Sequence, residues 1–326
     1  MRAIIIESPG DETVLKLVER PDPVPAPHHV RVKVRAAGVN RADLLQRMGF
    51  YPAPAGVPAD IPGLEYAGVI DSVGDDVTGL RIGDRVFGVV GGGAYADYVV
   101  VHERETAKVP DGLPDDVAAA VPEAFVTAYD ALVLRGMLRP GERVLVHAVG
   151  SGVGTAGVQV AKALGCHVSG TSRTQDKLDR ARALGLDTPI LVDKASSLSS
   201  ALEKAGESFD VVLDLVGGAY VGETLPAMAL RGRIVVVGLT AGAQSDLNLA
   251  ILLRQRLSVI GTVLRSRPLE EKIQAADLLR RTLSPWLARG MIKPVIEATL
   301  PLERAGDAHR MLASNKTFGK VLLTMS

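Results

Sequence analysis

From about residue 122 onward, short apolar runs alternate with helix-patterned segments. This alternation constrains the fold more than any other feature of the chain. The runs are Val144–Val149, His167–Thr171, Pro189–Val192, Asp210–Leu213, Ile234–Gly238 and Leu257–Val263, at a spacing of about 20 residues. A short, largely apolar run reads as a strand covered on both faces, and strands joined through helices lie parallel. Six such units predict an α/β fold: a doubly wound parallel sheet of Rossmann type with helices on both faces.

The first 120 residues have a different texture. Val30, Val32 and Val34 alternate with Arg31, Lys33 and Arg35, a two-residue period that sends the valines to one face of a strand. The three basic residues read as the solvated face of that strand, since no aromatic residues interleave them as a nucleic-acid surface would require. Tyr66–Val73, Arg85–Val90 and Tyr95–Val101 are further strand signals separated by glycine turns. The proline-rich stretches 21–27 and 52–62 are loops, because proline lacks the ladder donor. One short helix is expected over Arg41–Met48. After residue 263 the texture is mixed again: a long helix over 269–289, a strand near Val295–Leu300, a helix over Leu302–Ala313 and a strand over Gly319–Thr324. The expected layout is therefore a β-rich domain, 1–122 and 264–326, interrupted by a dinucleotide-type domain, 123–263.

Composition excludes several functions. Basic and acidic residues balance at 37 each, so there is no global attraction for nucleic acid or an anionic membrane. Cys166 is the one cysteine, which rules out an internal disulfide and a cysteine-rich zinc site. The histidines, at 28, 29, 102, 147, 167 and 309, are scattered along the chain. Redox chemistry would need a borrowed cofactor. Met1-Arg2-Ala3 leads into Ile4-Ile5-Ile6, too short for a signal core, and no apolar run is long enough to cross a membrane. The expectation is a soluble, cytoplasmic protein.

Val144 to Val149 runs into Gly150-Ser151-Gly152-Val153-Gly154-Thr155 and then a helical pattern from Ala156 to Leu164. Glycines let a backbone turn tightly and let a diphosphate approach main-chain N–H groups, and the helix start adds unpaired donors. The spacing is Gly-x-Gly-x-Gly, looser than the strict dinucleotide fingerprint. The strand before it, the helix after it and the five further units support dinucleotide binding. At the tip of the second strand an NAD site usually carries a carboxylate for the ribose hydroxyls. Here Thr171-Ser172-Arg173-Thr174-Gln175-Asp176-Lys177 offers hydroxyls, an arginine and a lysine instead. That set suits a 2′-phosphate, hence NADPH over NADH.

A catalytic zinc usually has three Cys, His or carboxylate ligands, and neither His nor Cys occurs between residues 30 and 101. No metal is expected. Ser151 is not central in a G-x-S-x-G elbow, so a serine-hydrolase triad is not expected either. Asn40, Asp43, Gln46 and Tyr51 are the polar candidates for positioning a hydride acceptor.

These residues carry a resemblance. Asn40-Arg41-Ala42-Asp43-Leu44-Leu45-Gln46-Arg47, Pro62-Gly63-Leu64-Glu65-Tyr66-Ala67-Gly68, Gly83-Asp84-Arg85-Val86 and Pro122-Glu123-Ala124 resemble the zinc-free quinone oxidoreductases of the medium-chain dehydrogenase/reductase superfamily. The stretch Gln46 to Tyr51, Ser151 to Thr155, Leu264-Arg265-Ser266-Arg267 and Asn315-Lys316 are most similar to the tumour-suppressor-inducible subgroup. The resemblance implies a GroES-like catalytic domain around an inserted Rossmann domain, with the active site in their cleft. It implies metal-free and flavin-free reduction of a quinone by NADPH. Asn40 and Tyr51 would line the acceptor and nicotinamide pocket, and Thr127 would contact the cofactor. Ser151, Gly152, Val153, Gly154 and Thr155 would hold the diphosphate. Gly217, Gly238, Leu264 and Asn315 would lie along the cofactor. The tyrosine often found near Val192 is missing, which shifts the 2′-phosphate onto Ser172, Arg173 and Lys177. Alternatives are a 2-enoyl or enone (C=C) reductase and an NADPH-binding RNA-associated or structural protein. Leu257–Val263 would be an apolar edge strand, which in this superfamily pairs two copies into a homodimer.

Overall fold

Alternating valines and the carboxyl-terminal tail build one sheet, and the repeated strand–helix units build a second. The computed structural model describes residues 1–192 and 197–325. The chain divides into two compact units. Unit 1 comprises Met1–Val126, Leu264–Gly290 and the chain from Pro294 onward; unit 2 comprises Thr127–Val263 and Met291–Lys293.

In unit 1, β1 (Arg2–Ile6) and β2 (Leu15–Glu19) form an antiparallel ribbon. β3 (His29–Val39) leads into α1 (Arg41–Arg47), followed by β4 (Glu65–Val73), β5 (Arg85–Val89), β6 (Tyr98–His102) and β7 (Thr106–Lys108). Two short helices, α2 (Asp115–Ala119) and α3 (Pro122–Tyr129), carry the chain to the end of the segment. β3 pairs antiparallel with β4 and β6. Val30, Val32 and Val34 are buried as their alternation predicts, and Lys33 and Arg35 are exposed. Arg31 departs from the solvated reading. Its Nε and Nη2 each reach Asp71 at 3.0 Å, and its guanidinium lies 4.7 Å over the Tyr98 ring. Both partners come from neighbouring strands, which a pattern along one strand does not reveal.

In unit 2 the strands are β8 (Arg143–Val146), β9 (His167–Ser172), β10 (Thr188–Leu191), β11 (Phe209–Asp214), β12 (Met228–Val236) and β13 (Ser258–Gly261). The helices that join them are α4 (Gly152–Ala163), α5 (Gln175–Arg182), α6 (Leu198–Ala205), α7 (Ala219–Thr224) and α8 (Leu249–Gln255). All six strands are parallel, in the order β10-β9-β8-β11-β12-β13. The direction of winding reverses between β8 and β11. Ligands of such sheets bind beyond the carboxyl ends of the strands at that reversal. Leu145, Phe209, Val212 and Ile234 form part of the core. Residues 291–293 join this unit because Gln159 of α4 donates to Lys293 O at 2.9 Å and accepts from Lys293 N at 2.8 Å.

The tail returns to unit 1. The helix expected over 269–289 is α9 (Leu269–Leu278) and α10 (Ser284–Ala288), joined by a wide π turn over Leu279–Leu283. Pro285 has no N–H for the carbonyl one turn earlier and its ring crowds that carbonyl, so a regular α ladder cannot run through. β14 (Ile296–Pro301), α11 (Ala305–Ala313) and β15 (Lys320–Thr324) follow. β15 pairs antiparallel with β3, Val321 opposite Val39 and Leu323 opposite Ala37. The tail thereby completes the sheet begun by the first forty residues.

Candidate active site

The glycine turn of unit 2 is a helix start with open donors. Ser151 caps α4: its Oγ accepts from Gly154 N at 3.0 Å and donates to Ala148 O at 2.9 Å. A first helical turn leaves its leading N–H groups without intrahelical acceptors, and here those are Gly152 and Val153. The Thr155 hydroxyl turns back to Gly152 O at 2.8 Å, so its contribution is to the shape of the turn. Close packing explains two of the glycines. A Cβ at Gly150 would lie 2.6 Å from Lys177 Cδ, and one at Gly154 would collide with Ala148 O. The Lys177 stem therefore runs along the turn. Arg173 is exposed at the tip of β9, beside Ser172, whose Oγ accepts from Thr174 N at 3.2 Å. Among the described residues Ser172, Arg173 and Thr174 form that tip, with no carboxylate between them. The donors suit a diphosphate and a further phosphate.

Gly217 and Gly238 pack backbone to backbone. Gly217 has φ +68°, and a Cβ there would lie 2.8 Å from Gly238 O; one at Gly238 would lie 2.5 Å from Leu215 O. Asp214 fixes this corner, its Oδ1 accepting from Val216 N at 2.7 Å and Gly217 N at 2.9 Å. His147, at the end of β8, is buried between Thr171 Oγ1 and Thr224 Oγ1, both at 3.0 Å. Burial lowers its pKa to about 4, so it is a neutral packing group.

Unit 1 holds a buried polar cluster that the sequence announces only in part. Asp43 in the first turn of α1 reaches back to the residue before the helix, its Oδ2 accepting from Asn40 N at 2.7 Å. The Asn40 amide faces the other way: Nδ2 donates to Glu65 Oε1 at 3.0 Å, and Oδ1 accepts from Lys320 Nζ at 2.5 Å. Asp43 also accepts from Gly63 N and Tyr95 OH, both at 3.1 Å. Tyr95 OH lies 3.3 Å from His309 Nε2. Burial raises the Asp43 pKa to about 6 against these donors and Lys320. It lowers His309 to about 3, with Arg47 beside it. Glu65 and Lys320 come from β4 and β15, so only the closed sheet brings them together.

Tyr51 stands on the loop after α1, held by a residue from the far end of the sequence. Arg265, 5% exposed, donates from Nη1 to Tyr51 O at 2.8 Å, from Nη2 to Gln46 Oε1 at 2.6 Å and from Nε to Gly91 O at 2.7 Å. Its guanidinium also lies 4.9 Å from the centre of the Tyr51 ring. Burial, and then Glu123, raise the Tyr51 phenol, which keeps its proton. Gln46, a sequence candidate for positioning the acceptor, is one of the Arg265 anchors and donates to Ala59 O at 3.1 Å. Neighbouring Leu264 is buried. Asn315 ends α11 in the left-handed region at φ +56°, its Oδ1 accepting from Arg41 Nη2 at 2.6 Å. Thr127 is buried on α3.

Three of the histidines scattered in sequence are neighbours in space. The His102 ring lies 6.1 Å from that of His28 and 5.3 Å from that of His29. Strand pairing of His29 with His102 explains this. Among the described residues no group of three His, Cys, Asp or Glu side chains is arranged to hold a metal.

Residues 26–111 match the alcohol dehydrogenase GroES-like domain family, and residues 152–281 match the zinc-binding dehydrogenase family. The quinone oxidoreductase of Homo sapiens is 31% identical over 332 residues, covering 100% of this chain and 98% of that protein. The structure of Escherichia coli quinone oxidoreductase complexed with NADPH superposes with a TM-score of 0.86 at 30% identity, covering 99% of this chain and all of the other. A polyketide synthase of Streptomyces halstedii is 36% identical over 299 residues, which are 91% of this chain and 5% of that protein. The chain thus spans a small fraction of that relative. With both family matches and full-length coverage at this identity, the chain belongs to the medium-chain dehydrogenase/reductase superfamily of oxidoreductases.

Proposed function

We propose that the protein is an NADPH-dependent reductase that delivers a hydride to a quinone without metal or flavin. The observation that carries the reading is the helix start at Ser151–Gly154, with two open amides and the Lys177 stem packed on Gly150. The likeness to a quinone oxidoreductase complexed with NADPH supports it. When bound, NADPH supplies hydride from its nicotinamide C4. Gly152 and Val153 N–H hold the diphosphate, with Ser151, Gly154 and Thr155 fixing the turn that presents them. Ser172, Arg173 and Lys177 hold the 2′-phosphate, while Thr127, Gly217, Gly238, Leu264 and Asn315 line the remainder. Asn40 and Tyr51 position the acceptor, so catalysis is chiefly orientation away from water. The Tyr51 ring, steadied by Arg265, suits a flat conjugated ring as acceptor.

A panel of ortho-quinones, para-quinones and enones assayed with NADPH and with NADH tests this reading directly. Quinone turnover preferring NADPH supports it; turnover of enones alone favours the C=C reductase, which the likeness to a stretch of polyketide synthase keeps as the alternative. Tyr51→Phe should lower quinone turnover, and unchanged turnover would remove Tyr51 from the acceptor site. The edge strand β13, with Val259 38% exposed, is the proposed seam of a homodimer. Sedimentation as a monomer at micromolar concentration would refute that.

A further inference from the structure

We propose that Glu123 is the acid that protonates the reduced acceptor, resting on the reading that the acceptor binds in unit 1 beside Asn40 and Tyr51. Three carboxyl groups, those of Glu65, Asp43 and Glu123, share the neighbourhood of one ammonium, that of Lys320. Their hydrogen bonds divide unequally. Glu65 accepts three: Lys320 Nζ at 2.5 Å, Asn40 Nδ2 at 3.0 Å and Glu123 N at 2.8 Å. Asp43 accepts three as well, from Asn40 N, Gly63 N and Tyr95 OH. The Glu123 carboxyl accepts none among the described residues. Donors stabilise the ionised form of an acid, and a neighbouring carboxylate destabilises it. Where three acids compete, the proton resides on the one without donors, which is Glu123.

The surroundings agree. From β4 comes the Glu65 charge, from β15 Lys320, from α1 Asp43, and from the segment after residue 263 Arg265; Tyr51 faces it from its loop. Burial first, and Glu65 second, raise the Glu123 carboxyl to about 8, with Lys320 and Arg265 opposing. Glu65 and Asp43 are sealed from solvent, whereas Glu123 keeps some exposure. A proton held there can be given up and replaced. Two carboxyls whose environments separate their proton affinities mark an acid and its charged neighbour. Glu123 is the acid and Glu65 the neighbour that keeps it protonated.

The step balances. Hydride arriving on one quinone oxygen carries two electrons and forms the first O–H bond, leaving negative charge on the opposite oxygen. The Glu123 O–H bond breaks, the second O–H bond forms, and the Glu123 carboxylate regains its proton from water. One NADPH and one proton are consumed, and NADP⁺ and the hydroquinone leave.

The test has a kinetic and a spectroscopic arm. For the wild-type protein, quinone kcat should fall as pH rises past about 8. Glu123→Gln should lower kcat about 100-fold, within the range for loss of a general acid, abolish that alkaline limb and leave the KM for NADPH unchanged. Glu123→Asp, which keeps an acid, should retain the limb at a reduced rate. A Glu123→Gln protein with the wild-type rate and limb overturns the proposal. Infrared difference spectra of the wild-type protein between neutral and alkaline pH should show a protonated carboxyl that titrates near 8 and is missing from Glu123→Gln. Its absence from the wild-type protein also overturns the proposal. If the band is present but the wild-type protein reduces no quinone or enone, the catalytic assignment falls together with the functional reading, and only the protonated carboxyl survives.

Discussion

The Glu65 carboxylate and the Lys320 ammonium lie 2.5 Å apart, with side chains 0% and 4% exposed. They are 255 positions apart in sequence and meet because β15 pairs with β3, which in turn pairs with β4. Gly38 of β3 makes the room, since a Cβ there would collide with the Glu65 carboxyl. Asn40 bridges the pair by donating to one partner and accepting from the other.

Removing one partner of this pair leaves the other charge buried and uncompensated. Lys320→Met is expected to cost about 3–5 kcal/mol of stability. The double variant Glu65→Gln with Lys320→Met should recover part of that loss. Urea denaturation of both variants checks it; a double variant no more stable than the single one would contradict the account.

Acid stability should depend on the two histidines held neutral by burial, His147 and His309. Their folded pKa values, about 4 and about 3, lie below the ordinary 6.5. The unfolded chain therefore binds protons first as pH falls. Their contribution to stability is complete above 6.5 and is lost as pH falls from there through the folded values. Each histidine gives up about 1.4 kcal/mol per pH unit in that window. Denaturation midpoints measured across it should slope downward toward acid, and His147→Gln should make the slope shallower.

Lys177→Ala tests the cofactor assignment. Loss of a charge-assisted contact worth about 1.5–3 kcal/mol should raise the KM for NADPH roughly tenfold or more and leave that for NADH nearly unchanged. Equal changes for both cofactors would reject a 2′-phosphate contact.

Arg265→Met removes three hydrogen bonds and the contact with the Tyr51 ring in one change. The freed carbonyls of Tyr51 and Gly91 lose their donor, so stability should drop by at least about 2 kcal/mol. The loop around Tyr51 should become cleavable by protease, and the KM for a quinone should rise more than that for NADPH. Retained protection of residues 48–57 would show that other contacts hold the loop.

Much of the fold is legible in the chain because periodicity is local. The valines at 30, 32 and 34, the six apolar runs and the glycine turn each declare their backbone within a dozen residues. Asn40, Asp43 and Tyr51 are also visible as candidates, since polar residues just after a strand invite the question. Arg265, Lys320, Glu65 and Glu123 do not declare their roles. Taken singly, each is one charged residue in an ordinary local context.

The sequence by itself determined the strand–helix repeat, the interrupted β-rich segment and the glycine turn at a helix start. These depend on spacing and backbone preference, which neighbours along the chain dictate. Only the tertiary structure decided which charges meet. Closing β15 onto β3 brings an ammonium to Glu65, and the chain after residue 263 brings a guanidinium to Tyr51. Hydrogen-bond donors then distribute over three carboxyls so that one of them, Glu123, is left without any among the described residues. Burial and donor count set proton affinity, and both are properties of the packed molecule rather than of any stretch of its sequence.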